Sequence, residues 1–92
     1  MGPEAAETVG IKALGWLAAN DDLRSVFLGA TGAQLEDLRA SASDPIFLAS
    51  VLDFLMMDDA WVIAFCDDAG LKYETPMRAR QAMPGVEQVH WT

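Results

Sequence analysis

The sequence predicts an all-α protein, a compact bundle of about six short helices arranged as two similar three-helix units. Three observations carry this reading. No stretch alternates apolar and polar residues as a half-buried strand would. Apolar residues instead recur at three- and four-residue spacing in several segments. Between those segments stand the Asn, Asp, Thr-Pro and Gly residues that open and close helices. A chain of 92 residues has room for one core, so residues 1–92 are expected to form a single domain.

The first helix is expected from about Pro3 to Ala19. Ala6, Val9, Ala13, Trp16 and Leu17 share one face, with Glu4, Thr8 and Lys12 opposite. Asn20 and Asp21 end it and cap a short second helix carrying Leu23, Val26 and Phe27. Thr31-Gly32 supplies the stop, glycine being the natural residue just past a helix end. A third helix is expected over about Ala33 to Ala42, carrying Leu35 and Leu38.

Asp44-Pro45 opens the fourth helix, a cap followed by a proline in the first turn. Its inner arc holds Phe47, Leu48, Val51, Leu52, Phe54 and Leu55, leaving Ser50 and Asp53 outside. Asp58 caps the fifth, in which Ala60 through Cys66 leave no polar side. A helix apolar all round is one buried all round, so Trp61 and Phe65 are both expected to be inaccessible. Gly70 ends it. Thr75-Pro76 then opens a sixth helix to about Met83, and Pro84-Gly85 releases a tail, residues 84–92.

The two-unit arrangement rests on an internal match. At an offset of 38 residues Leu14 meets Leu52, Leu17 meets Leu55, Asp21 meets Asp59, Phe27 meets Phe65, Gly32 meets Gly70 and Glu36 meets Glu74. Shared apolar spacing produces such matches without common ancestry. As architecture, each half (3–43 and 44–83) reads long helix, acidic cap, short helix, glycine, third helix.

Composition narrows the function. Apolar residues make up 52% of the chain, against the usual ~45–50%, and a chain this short buries only roughly 60–65% of the surface its unfolded form exposes. The excess points to a protein partner or a second copy of the chain, a homodimer. The net charge of −8, fourteen acids against six bases, disfavours nucleic acid and anionic membranes, both of which bind clustered Lys and Arg. One cysteine, Cys66, cannot form an internal disulfide, and residues 1–11 lack the basic start of a secretory signal. A cytoplasmic protein is expected, with no membrane span.

Candidate chemistry is sparse. Asp21-Asp22 and Asp58-Asp59 stand where caps and first-turn acids belong. With one histidine and no calcium-loop spacing, no metal or cofactor is expected. Cys66 has no histidine near it in sequence and lies in an apolar helix, so it reads as a buried thiol rather than a nucleophile. No catalytic residue is assigned, and an enzyme is not expected. Asp67-Asp68 is less comfortable, because the last turn of a helix disfavours negative charge. Either Lys72, Arg78 and Arg80 neutralise the pair, or it is an exposed acidic spot for a basic partner.

Residues 27–38 have the outline of a helix-turn-helix, but its would-be reading helix, Gln34 to Arg39, carries two acids and one base and would repel phosphate. Segment 71–83 differs. Lys72, Arg78 and Arg80 are half of the chain's bases, opposed there by Glu74 alone.

The order of residues resembles a known family. The run Asp44-Pro45-Ile46-Phe47-Leu48, the pair Asp58-Asp59 and the turn Ala69-Gly70-Leu71 are similar to short proteins found mainly in alphaproteobacteria and grouped as a domain of unknown function. Pro3-Glu4, Thr31-Gly32, Asp37-Leu38-Arg39, Ala82-Met83-Pro84-Gly85 and the closing His90-Trp91-Thr92 fit it as well. The resemblance covers the whole chain and implies no catalytic residues. His90-Trp91 alone among the matching residues has no evident folding role, so the tail is expected either to dock on the core or to bind something.

The resulting expectation is a non-enzymatic interaction or regulatory module that presents an apolar helical face to a protein partner or to itself. The fourth helix and the tail are its expected surfaces. Candidate contacts are Asp67, Asp68, Lys72, Arg78, Arg80, His90 and Trp91. The alternative is a nucleic-acid-associated regulator using segment 71–83. A third reading is a small enzyme or ligand binder with a pocket between the two halves.

Overall fold

Helix α1 (Pro3–Ala19) is the spine of the molecule, of which a computed structural model describes residues 1–83. It is followed by α2 (Asp21–Thr31), α3 (Leu35–Ala40), α4 (Pro45–Leu55), α5 (Asp59–Ala69) and α6 (Thr75–Gln81). There is no strand among the described residues, and the six helices form one compact globule.

The helix ends follow from local chemistry. Side-chain oxygens of Asn20, Asp44 and Asp58 accept from the backbone N–H groups of Leu23, Ile46 and Ala60, satisfying donors that a helix start leaves open. α2 and α5 both close on glycines in the left-handed conformation, Gly32 at φ 75° and Gly70 at φ 70°. These two helices begin and end at the 38-residue offset. α3 starts later than expected, because Asp37 captures the Gln34 N–H at 2.8 Å and sets the first helical residue at Leu35. α6 stops at Gln81, short of Met83.

α1 packs chiefly on α4 and α6, which belong to the other half of the chain, and on α2. Ala6, Gly10 and Ala13 allow the close approach. A Cβ on Gly10 would stand 3.0 Å from Cβ of Leu48 and 3.1 Å from Cε of Met83. Leu48, Val51, Leu52 and Leu55 of α4 fill the space against Leu17 and Ala13. Phe27 lies fully buried with its ring edge-on to Phe47 (6.0 Å) and Phe54 (5.2 Å). Phe54 in turn stacks on Trp61 at 5.0 Å.

One expectation is corrected here. The helix buried most completely is α4, not α5. On α5 only Phe65 and Cys66 are fully buried, and Trp61, Val62 and Ala69 are partly so. Ala60, Ile63 and Ala64 face outward, and Ile63 is 44% exposed. The reason is packing geometry: α1 and α4 are joined through small residues and take the centre, which leaves α5 one neighbouring side only. α4 turns Leu48, Ala49, Val51, Leu52, Phe54 and Leu55 into the core and leaves Ile46 67% exposed.

Candidate functional site

The chemistry-bearing side chains gather where α5 ends. Asp67 and Asp68 occupy its last turn, where the helix dipole costs a carboxylate about 0.3–1 kcal/mol. The phenol of Tyr73 donates to Asp67 Oδ1 at 2.8 Å, and the indole Nε1 of Trp16 donates to Asp68 Oδ2 at 2.7 Å. Neutral aromatic donors therefore hold both carboxylates. The ion pairs among the described residues are Arg24 with Asp21 and Arg80 with Asp53, so Lys72, Arg78 and Arg80 do not pair with Asp67 or Asp68. Sequence reasoning missed the Trp16 donor because it stands 52 positions from Asp68; Tyr73, only six positions from Asp67, was within reach of a local reading.

The same corner tunes two titratable groups. Hydrogen bonding to Asp67, and then its negative charge, push the Tyr73 hydroxyl above the ordinary phenol range. Burial pushes the Cys66 thiol up, and the charge of Asp67 adds to that. The thiol donates to the Lys72 carbonyl at 3.4 Å. A buried thiol held protonated is a poor nucleophile.

The basic segment does not form one patch. Arg80 turns inward, its Nε donating to Asp53 Oδ1 on α4 at 2.7 Å with the side chain only 14% exposed. Its Nη1 is buried without a hydrogen-bond partner among the described residues. Lys72 and Arg78 remain exposed. His90 and Trp91 lie outside the described residues.

A groove of about 620 Å³ lies between α1 and α3. Leu14 and Leu38, both buried, form its floor. Ile11 and Leu35, 48% and 59% exposed, form its walls, with Ala18 and Ala42 toward one end. Arg24, Glu36 and Arg39 edge it. Arg24 is already engaged, donating to the Ala18 carbonyl at 2.8 Å and pairing with Asp21 at 3.0 Å. The groove is apolar rather than polar, and it lies within the first half of the chain rather than between the halves. Among the described residues no three His, Cys, Asp or Glu side chains come together as a metal site requires. No described helix is long and apolar enough to cross a membrane.

Neither a curated protein nor a solved structure matches the chain. A family model does, over residues 3–86, which take in all six helices together with the groove and the acidic corner. On that match the chain belongs to the family described as protein of unknown function DUF3572.

Proposed function

We propose that this protein is a non-enzymatic interaction module whose docking surface is the groove between α1 and α3. One observation carries the reading: Ile11 and Leu35 stand roughly half exposed over a floor of buried leucines, so the groove offers apolar area that the described residues leave uncovered. An apolar ridge from a partner helix, with residues at i, i+3, i+4 and i+7, has the shape such a groove accepts. The buried thiol and the apolar lining of the groove both support binding over catalysis. The family resemblance and the single cysteine support an alphaproteobacterial, cytoplasmic setting for the module.

The test uses the whole chain as bait in native lysate, beside Leu35→Asp and Ile11→Asp. Both side chains are exposed enough that the variants should fold, which thermal melting checks. A partner retained by the original chain and lost from both variants is the expected result. Identical proteins retained by all three baits would sink the proposal.

A further inference from the structure

α5 carries a second surface, distinct from the groove. Its inner side packs Phe65 and Cys66 into the core, while Ala60, Ile63 and Ala64 form an outer stripe at three- and four-residue spacing. Met57, 75% exposed in the turn before the helix, extends that apolar character toward its start. Ala60 and Ala64 keep the stripe shallow, so another helix can come close. Carboxylates stand at both ends, Asp58 and Asp59 at the start, Asp67 and Asp68 in the last turn. None of the four is in an ion pair among the described residues.

From this arrangement we infer that the outer face of α5 docks a basic amphipathic helix of a partner protein. The apolar ridge of that helix covers Ala60, Ile63 and Ala64, and Lys or Arg residues at its two ends meet the paired aspartates. Charge selects this occupant over the others. Two copies of α5 side by side set Asp67 against Asp67 when parallel and against Asp59 when antiparallel, so either pairing repels. Phosphate-bearing ligands meet the same carboxylates and a chain of net charge −8. A basic helix reverses every one of these terms, and it also relieves the aspartates at the negative end of the α5 dipole.

The probe is a synthetic helical peptide with Leu at i, i+3, i+4 and i+7 and Lys at both ends, titrated into 15N-labelled full-length protein. The same peptide with Glu in place of Lys is the comparison. Amide shifts should centre on residues 57–68, with the Lys peptide binding at least tenfold more tightly than the Glu peptide. Ile63→Lys should weaken the Lys peptide at least tenfold, whereas Ile11→Lys in the groove should leave it unchanged. Shifts centred on the α1–α3 groove, equal binding of both peptides, or an Ile63-dependent dimer in sedimentation would each overturn the inference. The Ile11→Lys arm separates this face from the groove, so failure of one leaves the other standing.

Discussion

The indole N–H of Trp16 donates to the Asp68 carboxylate across 2.7 Å, fastening the last turn of α1 to the end of α5. Beneath that bond the Trp16 ring meets Phe65 edge-on at 5.9 Å. Two opposed effects act on Asp68. An exposed hydrogen bond to a charged acceptor contributes about 1 kcal/mol, and a carboxylate at a helix C-terminus costs about 0.3–1 kcal/mol. Asp68→Asn keeps an acceptor and drops the charge, so it should match or slightly exceed the original in stability. Asp68→Ala loses the bond and should fall below both. Urea unfolding midpoints read this order, and Asp68→Ala as the most stable of the three would contradict it.

Tyr73 is the chain's single tyrosine, so absorbance titration reports it alone. Its hydroxyl donates to Asp67 and is raised above the ordinary value of about 10. A raised folded-state value means that the bond contributes its stability in full below pH of about 10 and loses it as pH rises through the folded value. Asp67→Ala should bring the titration back toward the free-phenol range. An unchanged midpoint in that variant would show that Asp67 is not the cause.

Gly10 and Gly15 lie on the same helix in opposite circumstances. A Cβ at Gly15 meets nothing within 4 Å, so Gly15→Ala should stabilise by about 0.5–1 kcal/mol through helix propensity. At Gly10 the added methyl would press on Cβ of Leu48, which is close to backbone and cannot easily move. There the crowding offsets the propensity gain, and Gly10→Leu should destabilise by about 1–3 kcal/mol or more. Thermal melts of the variants decide the matter. Equal behaviour at both positions would mean that α1 and α4 are not in close contact.

The Arg80–Asp53 pair predicts an asymmetry. Arg80 is mostly buried, with Nη1 lacking a partner among the described residues, while Asp53 is 55% exposed. Removing Asp53 leaves a nearly buried guanidinium unpaired, so Asp53→Ala should cost about 1–3 kcal/mol. Arg80→Met replaces an incompletely satisfied charge with an apolar chain of similar length and should stay within about 1 kcal/mol of the original. Denaturant unfolding of both variants measures the difference. The reverse order would show that the charge at position 80 is the stabilising member.

Helix ends were legible in the sequence because capping is local. Asn20, Asp44 and Asp58 accept from amides two or three residues on, and Gly32 and Gly70 adopt the left-handed turn that other residues resist. The all-α class and the position of each helix followed from those signals and from apolar spacing. Which side of an apolar helix faces inward has no such local cause. Ala60 through Cys66 read alike all round, and only the close fit of α1 on α4 through Gly10 left α5 at the periphery with Ile63 in solvent. The candidate site was likewise legible only in part. Asp67 and Asp68 stood out for their place at a helix end, but their partners did not, because α1 reaches Asp68 only through the tertiary fold. By sequence Arg80 belongs to the basic segment 71–83, and packing of α6 near α4 turns it to Asp53 instead. Short-range hydrogen bonding belongs to the sequence by itself, whereas the choice of neighbours belongs to the whole fold, since pairs 27 and 52 residues apart meet only once the core has closed.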